Sequence, residues 1–302
     1  MIKRVTSSIT AFLLSVSSLL VFAPSVAHAA VRTWDGSAGD NKFSTASNWS
    51  DDAVPTNGDS VVFPLSAASY TDVDIVQDIS GLSLSGISFT GDAGSNCNGQ
   101  YAGYNISGAA LTLTGNIDSS TTAGTCWNIG LIKIANLILS GDTVELNQPE
   151  GNDGLTIVLG DYSAANTLTI GATNLVITNG YYNLINSKIT GSGTISSTTD
   201  LALYGDNSGY SGDVNITSGT LNVNHPNALG SGTTAVVIDD GASISLRSFA
   251  DSATTIARPI TLSGAASAGT SKISFGVSHN CPPYIPDITL TGTFTLQNDA
   301  TY

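Results

Sequence analysis

The side chains of this 302-residue chain that could do chemistry are few and scattered. His279 and Cys281 lie two residues apart in the segment SHNCPPYIP, so a base could activate a thiol there, although no third group is indicated that would orient the histidine. His225 precedes Pro226 in a segment of turn residues. We interpret both histidines as turn residues.

Two pairs of adjacent carboxylates, Asp51–Asp52 and Asp239–Asp240, are further candidates for acid–base chemistry. Hydrolysis of a glycosidic bond needs carboxylates that converge on that bond. Adjacent residues of a strand point to opposite faces, and Asp239–Asp240 directly precedes Gly241, where a turn is expected. We therefore predict no catalytic residues and no enzyme, and a carbohydrate-active enzyme stays the alternative.

Calcium is the metal that the acidic loops could bind. Hard oxygen ligands suit Ca²⁺, and two glycine-containing loops carry several of them: Asp206, Asn207 and Asp213 in one, and Asp35, Asp40 and Asn41 in the other. Neither the EF-hand spacing nor a glycine–aspartate nonapeptide is present. Because turns rich in Asp, Asn and Gly also form without a metal, we predict no cofactor and no metal site, with Ca²⁺ as the alternative.

Residues 31–63 concentrate aromatic side chains in a chain that is only 7% aromatic. This segment contains Trp34, Phe43, Trp49 and Phe63. A stack of β coils exposes the backbone edge of its first coil, and we predict that the aromatic-rich segment covers this edge. The alternative is a ligand platform on which exposed Trp34 and Trp49 stack against a sugar.

Short alternating runs separated by glycine turns recur along the chain and must position these side chains. They include Leu111–Leu113, Leu137–Leu139, Leu168–Ile170, Val214–Ile216 and Ile260–Leu262. Each run points two apolar residues to one side and one residue to the other. Such runs are short for a β-sandwich, which stays the alternative, and they suit the sides of a β-solenoid. Coils of about 20 to 25 residues would give about eleven to thirteen coils.

The first 29 residues have the organisation of a secretory signal peptide. Lys3 and Arg4 precede a mostly apolar stretch from Ile9 to Phe22, and a small-residue cleavage sequence ends at Ala29. The apolar stretch is too short for a membrane span, and no later segment is long enough. We therefore expect cleavage after Ala29 and a secreted or cell-surface protein without a membrane span.

The charge of the chain argues against nucleic acid as a partner. Loss of Lys3 and Arg4 with the leader leaves seven of the nine Lys and Arg residues against 23 Asp and Glu residues, and the formal net charge changes from −14 to −16. Binding of nucleic-acid phosphates needs clustered cations. An anionic polysaccharide would be repelled as well.

Three cysteines, Cys97, Cys126 and Cys281, bear on the oxidation state of the protein. Thiols of secreted proteins tend to oxidise, and Cys97 and Cys126 both lie in polar, glycine-containing segments. We predict a disulfide between Cys97 and Cys126, which leaves Cys281 to pair beyond Tyr302, to pair between chains or to stay free. A metal site is the weaker interpretation, because neither a CxxC motif nor a nearby pair of histidines is present.

One segment carries a repeat motif. From Asn207 to Leu246 the chain has the pattern N-S-G-Y-S-G-x-V-x-I-x-S-G-T-L-x-V, then N-A-L-G-S-G-T, then V-x-I-x-x-G-A-x-I-x-L. This pattern resembles the autotransporter-associated β-strand repeat, a passenger-associated repeat of large bacterial surface proteins. Residues 258–264 resemble the start of the next unit, and residues 34–63 resemble the W-x-G…N-W…P-x-x-G-D…F segment that opens many such chains.

The resemblance implies a right-handed parallel β-helix and a secreted or surface-exposed passenger that acts in adhesion or in passenger folding. We divide the chain into a signal peptide (1–29), a capping segment (30–70) and β-solenoid repeats (71–302). Because a solenoid needs covered ends, we expect the repeats to continue beyond residue 302 or to pair with a second chain.

The predicted function is therefore a structural or adhesive role at a cell surface. The expected partners are glycans or proteins of a host or matrix surface. A sugar-binding module at Trp34 and Trp49 and a carbohydrate-active β-helix enzyme are the alternatives.

Overall fold

The computed structural model describes residues 29–66, 72–94, 103–120, 122–123, 130–148, 155–160, 166–180, 183–248, 254–264, 272–277 and 288–298. Within these ranges the chain is a parallel β-helix, because each described pairing between named strands is parallel. The predicted all-β solenoid is confirmed, and the sandwich alternative is wrong. No helix in the described part is long and apolar enough to cross a membrane.

The described ranges contain 28 strands and one short 3-10 helix (Ala46–Asn48). In chain order the strands are β1 (Val31–Thr33), β2 (Ser60–Leu65), β3 (Asp72–Gln77), β4 (Ser83–Leu84), β5 (Gly86–Gly94), β6 (Gly103–Gly108), β7 (Leu111–Leu113), β8 (Ile117–Ser119), β9 (Thr122–Ala123), β10 (Gly130–Ile134), β11 (Leu137–Leu139), β12 (Thr143–Asn147), β13 (Leu155–Leu159), β14 (Thr167–Ile170), β15 (Asn174–Thr178), β16 (Asn183–Ile185), β17 (Lys188–Gly191), β18 (Thr194–Ser197), β19 (Leu201–Leu203), β20 (Val214–Ile216), β21 (Thr220–Val223), β22 (Val236–Ile238), β23 (Ser243–Ser248), β24 (Thr254–Ile256), β25 (Ile260–Gly264), β26 (Lys272–Val277), β27 (Ile288–Leu290) and β28 (Phe294–Asn298).

These strands stack into three faces. Face 1 has the order β1-β2-β5-β8-β12-β15-β18-β20-β22-β25-β28, and β9 pairs with β5 beside it. Face 2 has the order β3-β6-β10-β13-β16-β19-β21-β23-β26, and face 3 has the order β4-β7-β11-β14-β17. The pair β24–β27 occupies the corresponding place between face 2 and face 1 in the last coils. The eleven stacked strands of face 1 agree with the expected number of coils.

The alternating runs place their apolar residues inside the stack. Leu111, Leu137 and Leu168 lie in register on successive coils of face 3, and all three are buried in one continuous core. The residue after each of them points outward and is half-exposed. Full burial of a leucine side chain contributes about 2 kcal/mol, so the same short run repeated on each coil stabilises the whole stack.

The N-terminal end of the stack is covered on all three faces. On face 1, β1 pairs with β2. On face 2, the N–H of Val76 in β3 donates to the Asn41 carbonyl oxygen at 2.8 Å, and the Phe43 N–H donates to the Val76 carbonyl oxygen at 3.0 Å. On face 3, the Gly58 N–H donates to the Ser83 carbonyl oxygen at 2.8 Å. The predicted cap is therefore confirmed.

The aromatic side chains of the cap pack against one another. The ring centroids of Trp34 and Trp49 are 5.1 Å apart and those of Phe43 and Trp49 are 5.2 Å apart, both edge to face. Trp34 is 4% exposed and Trp49 is 1% exposed. The alternative in which these two indoles form an exposed ligand platform is therefore wrong, because their faces are covered by the cap itself.

Asp59 links the cap to the start of β1. Its carboxylate accepts hydrogen bonds from the backbone N–H groups of Ala30 (2.7 Å) and Thr56 (2.9 Å) and from the guanidinium of Arg32 (3.2 Å). Its side chain is only 3% exposed. Burial opposes ionisation, but these hydrogen bonds outweigh it and hold the pKa of Asp59 below its ordinary value.

The contact between Ala30 and Asp59 leads to a prediction about processing. Cleavage after Ala29 would convert the Ala30 N–H into an α-ammonium group beside the Asp59 carboxylate. A chain that starts at Ala30 should be more stable than one that starts two residues earlier, by about 1 kcal/mol, because a charge-assisted hydrogen bond replaces a neutral one. Denaturant unfolding of the two chains at pH 6 measures this difference.

The pH dependence of this stability difference and a matched variant provide two controls. The lowered pKa of Asp59 means that its contribution is full above about pH 4 and is lost as the pH falls further. Deprotonation of the α-amino group, which ordinarily occurs near pH 8, removes the advantage on the alkaline side. Asp59→Asn should make the two chains equally stable. A difference that persists in this variant would contradict the prediction.

Glycine is required where the backbones of two coils approach closely. A Cβ atom at Gly212 would overlap the carbonyl oxygen of Gly193 on the preceding coil, whereas one at Gly171 would meet only the Leu139 carbonyl oxygen at 3.9 Å. Gly212→Ala should therefore lower the free energy of unfolding by about 2 kcal/mol or more, and Gly171→Ala should change it by less than about 0.5 kcal/mol. Equal stabilities of the two variants in denaturant titrations would contradict this account.

Candidate functional site

In the loop of Asp206, Asn207 and Asp213, the side chains of Asp206 and Asn207 form hydrogen bonds within the fold. Asp206 Oδ1 accepts hydrogen bonds from Asn227 Nδ2 at 3.0 Å and from the Ser208 N–H at 3.2 Å. The bond from Asn227 is the main reason why the pKa of Asp206 lies below its ordinary value. These contacts show that the Asp206 carboxylate stabilises a turn and its link to the neighbouring coil.

The second acidic loop, in the cap, is similar. Asp40 accepts hydrogen bonds from the Thr45 hydroxyl and the Asn48 amide, both at 2.7 Å, and the Thr45 bond is the main cause of its lowered pKa. Asp35 Oδ1 accepts from the Ser37 N–H at 2.9 Å, and Asn41 takes the left-handed conformation of a turn residue. In the described ranges, no three residues among His, Cys, Asp and Glu form a group that could hold a metal ion.

The adjacent carboxylates also lie in turns. Asp51 forms an ion pair with Arg32, and Asp52 has a left-handed φ of 51°. The Asp239 carbonyl oxygen accepts from the Ala242 N–H at 3.0 Å, which closes the turn around Asp240. Their placement in turns agrees with the interpretation of the sequence.

His225 is a turn residue, as predicted. Its Nδ1 accepts from the Asn227 N–H at 3.1 Å, and its carbonyl oxygen accepts from the Ala228 N–H at 3.0 Å. His279 and Cys281 lie outside the described residues. Cys97 and Cys126 do so as well, so their disulfide stays a prediction.

A carboxylate pair that the sequence analysis missed lies on the outer side of face 1. Asp118 of β8 and Glu145 of β12 are half-buried on neighbouring coils. Burial, and then the nearby charge of Glu145, raise the pKa of Asp118, although a hydrogen bond with Asn147 opposes this. The two residues are 27 positions apart, so only the stacking of the coils brings them together.

Asn207 and Tyr210 connect successive coils in the repeat segment. The fully buried Asn207 accepts from the Ile189 N–H at 2.8 Å and donates from Nδ2 to the Ala228 carbonyl oxygen at 2.7 Å. The Tyr210 hydroxyl lies 2.8 Å from the carbonyl oxygens of Gly193 and Asp213. Within the described range 183–248, these side-chain hydrogen bonds take the place of a face 3 strand, because face 3 ends at β17.

Arg258 is a buried cation that binds backbone carbonyl groups. Its guanidinium donates to the carbonyl oxygens of Leu229 and Gly212 at 2.6 Å and of Thr234 at 3.1 Å. It is 4% exposed, and its Cζ lies 6.0 Å from the centroid of the Tyr210 ring. Burial lowers the pKa of Arg258 from its ordinary value. The Arg258 side chain therefore holds together the backbone segments that contain Gly212, Leu229 and Thr234.

Three asparagines on or directly after strands of face 2 have buried amide atoms without a hydrogen-bond partner. The buried side-chain atoms without a hydrogen-bond partner in the described ranges are Asn105 Oδ1 and both amide atoms of Asn186 and Asn224. Asn105 points outward from β6, while Asn186 and Asn224 directly follow β16 and β21. A buried polar group without a partner costs about 1–3 kcal/mol. Asn105 still donates from Nδ2 to Asp74 Oδ1 at 2.8 Å, so only the amides of Asn186 and Asn224 are wholly unpaired.

Asn186 and Asn224 flank a tyrosine in one row across three coils. The Tyr204 N–H donates to the Ile185 carbonyl oxygen at 3.0 Å, and the Asn224 N–H donates to the Leu203 carbonyl oxygen at 2.9 Å. The parallel pairing therefore continues past the strand ends and places Asn186, Tyr204 and Asn224 in register. We call these three residues the Asn–Tyr row.

An apolar row lies beside the Asn–Tyr row. Val158, Leu184 and Ala202 are in register on β13, β16 and β19, and they form a small buried cluster apart from the main core. Tyr204 is partly exposed and packs against this cluster. Asn186 and Asn224 are buried as well, so Tyr204 is the one partly exposed side chain of the two rows.

The sequence offered little signal for these unpaired amides, because asparagine is common throughout the chain. Their distinctive property, the absence of an internal partner, depends on which residues the coils bring into register. Comparisons with protein-family models, with curated proteins and with solved structures found no match to this chain.

The contacts of Arg258 generate a stability prediction. Arg258→Ala removes three hydrogen bonds and leaves buried carbonyl groups unpaired, so the free energy of unfolding should fall by about 3 kcal/mol. Lys188→Ala is the control, because it changes the net charge equally at a half-exposed position of β17, and its effect should stay below about 1 kcal/mol. Thermal and denaturant unfolding measure both variants. A similar loss in both would show that the charge and not the buried contacts matters.

Proposed function

We propose that the chain is a secreted or cell-surface β-helical protein of the passenger type, with a structural or adhesive role. The observation that carries the proposal is the uninterrupted parallel pairing of face 1 from β1 to β28. Eleven coils at about 4.8 Å each correspond to a stack of about 50 Å. Such a stack suits a protein that extends from a surface and presents long outer faces.

The outward side chains support an adhesive role better than a catalytic one. Many outward positions carry short neutral side chains, such as Thr169 and Thr190, whose hydroxyl groups lie 3.2 Å apart on neighbouring coils of face 3. His225 of the repeat segment and Asp206 directly before it have structural contacts that account for their side chains. Hydroxyl and amide groups on a rigid face are suited to binding a partner through many weak contacts.

The leader sequence and the resemblance to a passenger repeat support the same proposal. In that interpretation the segment from Asn207 to Leu246 is scaffold, which agrees with the cross-coil contacts of Asn207 and Tyr210. The partners that we propose are glycans or proteins of a host or matrix surface.

Adhesion of coated beads tests this function. Beads that carry the chain starting at Ala30 should adhere to surfaces coated with extracellular glycans and proteins at least tenfold more than beads that carry the acid-unfolded chain. In the source cells, an antibody against the chain should find it in the medium or on the outside, where added protease degrades it. Equal adhesion of folded and unfolded chains, or complete protection inside the cell, would contradict the proposal.

A further inference from the structure

The outer side of face 3 repeats short side chains on its five stacked strands. Row A consists of outward residues that are half-exposed and in register: Ser83, Thr112, Ile138, Thr169 and Thr190. Row B lies two residues further along each coil and is exposed: Ser85, Thr114, Ser140, Gly171 and Ser192. All positions of the two rows except Ile138 and Gly171 carry a hydroxyl group. Face 3 therefore presents an array of hydroxyl groups whose period is one coil.

The other two faces do not offer such an array. An outward row of face 1 mixes charge and length, because Glu145, Val176, Ser196 and Asn215 follow one another in register. The corresponding middle part of face 2 is buried. The described strands of face 3 contain no aromatic residue, and their one charged residue is Lys188 in the last coil. Face 3 thus lacks both the rings on which a sugar would stack and the charges that would attract an ion.

The array is ordered before any partner arrives. Threonine and isoleucine are restricted at χ1, and serine loses little side-chain entropy when it is held in place. The hydroxyl groups of Thr169 and Thr190 lie 3.2 Å apart on neighbouring coils, so they also hold each other. The two rows cover about 25 Å by 14 Å, or roughly 350 Å², which is less than half of the ~800 Å² that each partner buries in a specific protein complex. A partner for face 3 must therefore match its repeat and cannot rely on area.

We propose that rows A and B of face 3 bind the surface of ice. The proposal goes beyond the structural or adhesive role and does not depend on it. A threonine or serine hydroxyl donates one hydrogen bond and accepts two, so it can occupy the place of a water molecule at the surface of the lattice. The methyl groups of the threonines and the side chain of Ile138 release water from apolar surface when the lattice meets them.

The spacing of the coils agrees with this partner. Each water oxygen in ice has tetrahedral neighbours at about 2.8 Å, which places second neighbours about 4.5 Å apart. Successive coils are about 4.8 Å apart, so the mismatch over the four steps of row A adds up to about 1 Å. This is less than half of one water–water distance, and small side-chain adjustments can absorb it. Repetition of the same weak contact on each coil makes the combined binding strong.

Growth of ice in the presence of the chain tests the proposal. The chain that starts at Ala30 should enter slowly growing ice and should keep fine ice grains small during annealing just below the melting point. Thr169→Tyr places a bulky ring in the middle of row A and should raise the protein concentration needed at least tenfold. Thr261→Tyr is the matched control, because Thr261 is an outward, half-exposed threonine of β25 on face 1, and its effect should be less than twofold.

Further measurements separate loss of binding from loss of the fold. Thr112→Tyr repeats the test at a second coil, and circular dichroism in the cold checks that each variant keeps the β-sheet spectrum of the parent chain. Exclusion of the folded parent chain from ice, as an unrelated globular protein is excluded, would overturn the proposal. Equal losses in folded Thr169→Tyr and Thr261→Tyr would overturn it as well. Beads that adhere although the chain does not bind ice would leave the adhesive function standing and refute this site.

Discussion

The structure depends on one constraint, which is that parallel coils stack in register. Each inward side chain must fit those of the coils before and after it, as Leu111, Leu137 and Leu168 do. The same constraint brings backbones so close at corners such as Gly212 that no side chain fits. Short apolar runs and glycine corners are therefore two results of a single geometry, and neither would be stable without the other.

Stacking in register leaves an open edge at the first coil, and the cap closes it. The three faces end at different strands, so each is covered by a different piece of backbone before β2. The aromatic cluster fills the space between these pieces, since the first coil has no preceding coil to pack against. This use of Trp34 and Trp49 explains why their faces are unavailable to a sugar.

The sequence was sufficient for the features that repeat along the chain and for those that are local. Apolar–polar–apolar runs predicted the alternation of burial, and turn residues such as His225 and Asp240 were identified from their neighbours. The Asn–Tyr row could not be predicted, because its members are 18 and 20 residues apart in coils of unequal length. The pairing of Asp118 with Glu145 was missed for the same reason: it exists only after the register is known.

The position of buried polar groups separates scaffold from surface in this fold. Asn207, Tyr210 and Arg258 lie where a strand of face 3 is missing, and their hydrogen bonds replace the backbone pairing that the strand would have supplied. On face 2 the strands are present and their backbone groups are already paired. The side chains of Asn186 and Asn224 therefore have no unpaired backbone group to bind. Buried polar side chains are therefore hydrogen-bonded where they replace a strand, and unpaired amides occur where the strands already satisfy the backbone.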